Sequence, residues 1–236
     1  MSDQNLETPG RRTFLKTGSL AATATLIPTA ARAEDAVKEI KVALVGCGGR
    51  GTGAAAQSLA VPGTKLVAMA DAFEDNIGKA YETLKKKFGD RVDVPAERRF
   101  HGFDAFKKAI DSADLVLLCT PPGFRPPHFE YAVEKGKHVF LEKPLAVDGP
   151  GIRKVMEAAK VADKKKLKVV CGLQRHYQNN YLETLEKIKE GLIGEISSTQ
   201  VYWSGGGVWT RARQEGMTEM EYQMRNWYYF NWICGD

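Results

Sequence analysis

Residues 41–53 read KVALVGCGGRGTG. The apolar run Val42 to Val45, flanked by Lys41 on one side and glycine on the other, reads as a buried parallel strand. It enters Gly46-Cys47-Gly48-Gly49-Arg50-Gly51, a G-x-G-x-x-G, and then the helix-forming run Ala54 to Leu59. Strand, glycine turn and helix together are the context this motif needs. Gly46 permits a tight turn, Gly48 lets the backbone approach a pyrophosphate, and Gly51 lets the helix pack close to the strand. The phosphates would then rest on the free N–H groups at the helix N-terminus.

Alone, such a motif is equally a glycine-rich loop without a ligand. A second strand, Lys65 to Ala70, ends on Asp71, which lies 20 residues after Gly51, where an acid that binds a ribose hydroxyl belongs. Asp71 is followed by Ala72 and Phe73, which offer no basic group for a 2′-phosphate. The combination implies a dinucleotide-binding domain, with NAD favoured over NADP.

At 236 residues and 43% apolar content, the chain has enough material for one to two domains with a buried core. The net charge of +5 is not gathered into a basic stripe, which argues against nucleic acid as the main partner. The four cysteines, Cys47, Cys119, Cys171 and Cys234, show no C-x-x-C spacing and make no metal site by pattern. The first three each end a predicted strand and read as small buried apolar groups. An exported protein could instead oxidise Cys47 with Cys119 if their strands are neighbours.

The N-terminus reads as a targeting segment. Arg11-Arg12-Thr13-Phe14-Leu15-Lys16 is a twin-arginine pattern, a mildly apolar run follows from Thr17 to Ala30, and Ala31-Arg32-Ala33 is a cleavage site before Glu34. The apolar run is too short and too rich in Thr, Ser and Gly to span a bilayer. The expectation is a signal over residues 1–33, and export of a folded protein that has already loaded its nucleotide. Without that segment the formal net charge is +3. At the other end, Trp227 to Ile233 is apolar and aromatic, and Asp236 closes the sequence three residues later. Such a segment is normally covered by more protein, so the chain is expected to stop inside a second domain.

From Glu39 onward strand and helix alternate, the pattern of a doubly wound parallel sheet. Helices are expected over about Glu74 to Phe88, Asp104 to Ile110, Pro126 to Lys135 and Gly149 to Lys165. Strands are expected around Arg99 to His101, Leu115 to Cys119, Val139 to Leu141 and Lys168 to Cys171, which gives six in all and a domain over about 37–171. After Gly172 the pattern changes. Gln174 to Asn180 reads as a loop, Tyr181 to Glu190 as a helix, and Ile196 to Trp203 as a strand of a new sheet. Residues 172–236 are thus the start of a second, substrate-selecting domain.

Lys143 is the strongest candidate for chemistry. It follows a buried strand at the carboxyl edge of the sheet, where ligands bind in such folds, and Pro144 fixes the backbone beside it. Partly buried next to an oxidised nicotinamide, it could shuttle the proton of a carbinol, with Glu142 orienting it. The bland alternative is a surface ion pair at a strand end.

The glycine block Gly46 to Gly51, Thr120-Pro121 with His128, and Glu142-Lys143-Pro144 together resemble the Gfo/Idh/MocA oxidoreductases. The Glu-Lys-Pro block after the fifth strand is the most specific mark. The resemblance runs from Glu39 to about Glu195, and Met220 to Tyr229 is similar to a twin-arginine-exported branch. It implies an α/β fold: an NAD-binding Rossmann domain, then an α/β domain with an open, mostly antiparallel sheet that often joins subunits into a homo-oligomer. It implies cofactor contacts at Gly46, Gly48, Gly49, Arg50, Gly51, Asp71, Thr120, Pro121, His128 and Glu142. Lys143 would reach the substrate hydroxyl as the catalytic lysine. Gly172-Leu173-Gln174-Arg175 matches the block that borders the substrate, which makes Gln174 and Arg175 candidate substrate contacts. The acid and histidine that the family carries on a later helix are expected to follow Asp236.

Taken alone, His128 reads as a helix residue packed over the loop, and His176 lacks carboxylate or cysteine partners at metal-ligand spacing. Trp203, Trp209, Trp227, Tyr228 and Trp232 read as a packed core or subunit interface, with stacking on a sugar ring as the alternative. The expected function is NAD-dependent oxidation of a sugar, polyol or glycoside by hydride transfer, on a tightly retained nucleotide, outside the cytoplasm. An NAD-retaining glycoside hydrolase and a non-catalytic nucleotide- or sugar-binding protein are the alternatives.

Overall fold

The computed structural model describes residues 39–235. The expected twin-arginine segment lies outside the described residues. The chain forms six strands, β1 (Ile40–Val45), β2 (Thr64–Asp71), β3 (Arg99–His101), β4 (Leu115–Leu118), β5 (His138–Leu141) and β6 (Val169–Cys171). All neighbours pair in parallel, in the order β3-β2-β1-β4-β5-β6. This is the doubly wound order whose strand direction of travel reverses between β1 and β4, and the crevice outside their carboxyl ends is where ligands bind.

Both faces of the sheet are covered, which is why its strands read as continuous apolar runs. The alternation of β1 divides it between two cores. Val42 and Leu44 pack with Ala54, Ala55 and Leu59 of α1 (Gly49–Leu59) and with Ile77, Ala80 and Leu84 of α2 (Glu74–Phe88). Ala43 and Val45 face the other side. There they meet Ala105 and Ala109 of α3 (Ala105–Asp111), Phe129 and Val133 of α4 (Arg125–Glu134), and Val155 and Ala158 of α5 (Gly149–Lys164). Asp148 caps α5 by accepting from the Gly151 N–H at 2.7 Å, so this helix starts where its first free donors find an oxygen.

Past β6 the expectations from sequence hold less well. A single turn of 3₁₀ helix, Gln174–Tyr177, precedes α6 (Asn179–Lys189). The expected strand Ile196 to Trp203 does not form, and residues 195–214 carry no regular structure. The open, mostly antiparallel sheet is likewise absent among the described residues, whose sheet is wholly parallel. A strand needs a neighbour to complete its backbone hydrogen bonds, and this stretch has none among the described residues. Val201 is 86% exposed and Trp203 91%.

Residues 219–235 pack back against the loop after β4. They form α7 (Glu219–Arg225), a 3₁₀ turn Trp227–Tyr229, and α8 (Asn231–Cys234). Ile233 is fully buried, and the Trp232 ring meets Phe124 edge-on with centroids 6.0 Å apart. Gly123 is required at this contact, because a Cβ there would fall 2.7 Å from the Trp232 carbonyl oxygen. The aromatic end is therefore docked rather than wholly exposed, although Tyr228, Tyr229 and Trp232 remain nearly half accessible.

Candidate functional site

A crevice of about 1240 Å³ opens at the carboxyl ends of β1, β2, β4 and β5. It exceeds the ~300–1,000 Å³ of an ordinary small-ligand pocket, which leaves length for an extended dinucleotide. Gly46, at φ +97°, makes the turn out of β1, and a Cβ on it would lie 2.6 Å from the Cys119 carbonyl carbon and the Thr120 nitrogen. A Cβ on Gly51 would lie 1.8 Å from the Gly46 oxygen. These two glycines let β1, β4 and α1 approach one another. Gly48 and Gly49 differ, since a Cβ on either meets nothing within 4 Å. Packing does not require glycine at either position, and both border the crevice.

The first turn of α1 holds no acidic residue, and no side chain caps it at Gly48. Its leading N–H groups and the positive end of the helix dipole therefore face the crevice, a setting for phosphate. Asp71, at the end of β2, organises the same loop. Its Oδ2 accepts from the Cys47 N–H at 2.7 Å, and its Oδ1 accepts from Phe73 N–H at 2.9 Å and Asn76 Nδ2 at 3.1 Å. A carboxylate has about four acceptor positions, so Oδ2 retains one for a ribose hydroxyl. Burial raises the Asp71 pKa, against the opposing effect of its hydrogen bonds. These residues fit a dinucleotide.

On the opposite wall, Glu142 is 5% exposed and accepts from Arg50 Nε at 2.6 Å. It is thus paired with the glycine loop. The expectation that it orients Lys143 is not met, because the side chain turns under Gly172, where a Cβ would lie 2.9 Å from Glu142 Oε1. Lys143 itself is exposed, not partly buried, and makes no hydrogen bond or ion pair among the described residues. It stands two residues beyond the end of β5, at the carboxyl edge of the sheet. It lines the crevice together with the cis-linked Pro144 and with Gln174. Arg175 points elsewhere, donating to Gln178 Oε1 at 3.1 Å with its guanidinium carbon 4.8 Å from the Tyr181 ring centroid.

His128 is buried on α4, stacked on Phe106 at 4.0 Å between centroids, with Nδ1 3.3 Å from Thr120 Oγ1. Burial, then the nearby Arg125 charge, lowers its pKa to about 3. It is neutral at ordinary pH, a support for the Thr120-Pro121 loop rather than an acid or base. Cys47 and Cys119 end neighbouring strands, and all four cysteines are free. Burial pushes the Cys119 thiol up to about 12, and Cys47 is raised by burial and then by the Asp71 charge. Neither is a nucleophile near neutrality. Among the described residues no three His, Cys, Asp or Glu side chains gather to hold a metal, and no helix is long and apolar enough to cross a membrane.

Two arginines were missed from sequence. Arg125 is 2% exposed and donates to the carbonyl oxygens of Thr120 and Pro144, which ties the loop after β4 to the loop carrying Lys143. Burial lowers its pKa to about 10. The Pro-rich turn after it marked a helix start but gave no sign that the arginine would be enclosed. Arg225, 154 residues after Asp71, reaches back to Phe73, its guanidinium carbon 4.0 Å from the ring centroid. Ala72 and Phe73 supply no basic group, as read, yet the fold brings one beside them.

Residues 40–173, more than half the chain, match the Gfo/Idh/MocA oxidoreductase family, described as having an NAD-binding Rossmann fold. A glycosyl hydrolase family 109 protein of Streptomyces coelicolor is 27% identical over 161 residues, which are 67% of this chain and 33% of that protein. The scyllo-inositol dehydrogenase of Lactobacillus casei, solved with NAD(H) and scyllo-inositol, superposes with a TM-score of 0.52 at 27% identity, covering 68% of this chain and 44% of that one. A variant of KijD10, a 3-ketoreductase from Actinomadura kijaniata in complex with TDP-benzene and NADP, gives 0.51 at 26%, covering 67% and 45%. The chain thus spans about a third of the length of the first curated relative and under half of these structures.

Proposed function

The chain belongs to the Gfo/Idh/MocA oxidoreductase family, and from that premise we propose that it is the nucleotide-binding part of an enzyme that oxidises a sugar, polyol or glycoside with NAD. The observation that carries the reading is one crevice shared by the uncapped N-terminus of α1, the carboxylate of Asp71 and the amine of Lys143. Bound nicotinamide would supply the hydride acceptor. The first turn of α1 would hold the phosphates, and Asp71 would accept from a ribose hydroxyl. Lys143 holds the proton released by the carbinol, directly or through a neighbouring acid–base group. Gln174 lines the same end and borders the substrate. NAD is preferred over NADP because Asp71 repels a 2′-phosphate, while the charge of Arg225 is already met by Asp75 and Glu221.

The similarity to glycosyl hydrolase family 109 supports a second reading, a glycosidase that keeps its NAD. Oxidation at one carbon would acidify its neighbour, elimination would expel the leaving sugar, water would add across the double bond so formed, and return of the hydride would restore the alcohol. This reading fits retention of the nucleotide in an exported protein, for which the Arg11-Arg12 segment is the support. The division at residues 171/172 and assembly of copies through the second domain belong to the same proposal.

The test is to purify the protein, denature it and identify any released nucleotide by mass. Stoichiometric NAD or NADH supports a retained cofactor. Glycoside cleavage without net change in NADH absorbance selects the hydrolase, and net NADH formation from a polyol selects the dehydrogenase. A protein that releases no nucleotide and binds none on addition contradicts both.

A further inference from the structure

Arg225 belongs to neither the glycine loop nor the Lys143 loop, yet it lines the crevice. Its position is fixed from several sides. Both terminal nitrogens lie 3.2 Å from Asp75 Oδ1, and Nε donates to Glu221 Oε1 at 2.9 Å. The next residue, Asn226, is 2% exposed and clasps Arg211 in both directions, accepting from its N–H at 2.6 Å and donating to its carbonyl at 3.1 Å. The guanidinium, with its charge compensated, covers the Phe73 ring.

Phe73 is tied to Asp71 by its own N–H, at 2.9 Å. Asp71 ends β2, on the β3 side of the switch point between β1 and β4. Lys143 follows β5, on the other side. A dinucleotide laid across the switch point with its nicotinamide at Lys143 therefore has its adenosine half at Phe73. We propose that Phe73 and Arg225 form the wall against which the adenine ring packs, with Arg225 as the positioning residue that holds the Phe73 ring in place. The inference rests on the dinucleotide reading above. It assigns to a segment some 150 residues downstream of Asp71 a part in recognising the adenosine half alone.

The test is calorimetric titration of the full chain with two probes, ADP-ribose for the adenosine half and nicotinamide mononucleotide for the other. The wild type is compared with Arg225→Ala, Asp75→Asn and Phe73→Leu. Packing of an adenine ring on an aromatic ring held in place is worth about two- to tenfold in affinity. ADP-ribose should weaken by that factor in all three variants, while the mononucleotide changes by less than about twofold. Lysine should not restore the affinity in Arg225→Lys, since it lacks the planar, forked head. If Arg225→Ala fails to fold by circular dichroism, Asp75→Asn and Phe73→Leu decide the matter. Unchanged ADP-ribose affinity in folded variants, or equal loss for both probes, overturns the proposal. A wild type that binds neither probe overturns the dinucleotide reading beneath it.

Discussion

Arg50 and Glu142 meet across the mouth of the crevice, with Nε donating to Oε1 at 2.6 Å. The arginine is half exposed and the carboxylate only 7% accessible, so removing Arg50 leaves a buried charge without its hydrogen-bond donor. Arg50→Ala should cost about 2 kcal/mol, below the ~3–5 of a fully buried pair because water reaches the arginine side. Glu142→Gln, which removes the charge as well, should cost less. Urea unfolding of the two variants checks the order; a larger loss in Glu142→Gln would contradict it.

The glycines of the first loop should separate folding from binding. Gly51→Ala drives a Cβ to 1.8 Å from the Gly46 oxygen, a backbone clash no rotamer relieves. It should destabilise by about 3 kcal/mol or more. Gly48→Ala has open space and an ordinary φ of −68°. Its melting temperature should stay within a few degrees of wild type while nucleotide affinity drops at least about tenfold, or 1.4 kcal/mol. Thermal melts and binding titrations on both variants decide this.

The buried His128 should make the protein sensitive to acid. Its folded pKa of about 3 lies below the ordinary 6.5, so the unfolded chain takes up the proton first. The stability linked to neutral His128 is complete above pH 6.5 and falls as the pH drops toward 3, by about 1.4 kcal/mol per pH unit within that window. His128→Gln should flatten this slope in urea-unfolding series between pH 6 and about 4. An unchanged slope would show that the ring is already protonated or accessible.

Lys143→Ala should leave stability within about 0.5 kcal/mol, as expected for an exposed side chain without partners among the described residues. In a chain competent for catalysis it should abolish turnover while nucleotide remains bound. Full activity in that variant would remove Lys143 from the proton path.

The parallel sheet and its helices were legible because their signals are local. The Gly46–Gly51 turn, the acid 20 residues later and the strand–helix alternation each act within one strand–helix unit, and all six strands form where expected. What was missed depends on partners distant in sequence. Arg125 is enclosed by carbonyls of two separate loops, and Arg225 is drawn to Asp75 across 150 residues. Glu142 precedes Lys143 in sequence, which invited the idea that it orients it, yet its partner lies 92 residues upstream. Ile196 to Trp203 has the composition of a strand, but β-propensity expresses packing against neighbours, and among the described residues no strand lies beside it.

Binding of a dinucleotide in the crevice between Gly46 and Lys143 depends, in this reading, on Asp71. Titration of NAD into the wild type and into Asp71→Ala, with thermal melts to confirm folding, tests it most directly. The account predicts one saturable site in the wild type and at least about tenfold weaker binding in the folded variant, a loss of about 1.4 kcal/mol or more. No saturable binding by the wild type, or equal affinity in Asp71→Ala, would contradict it.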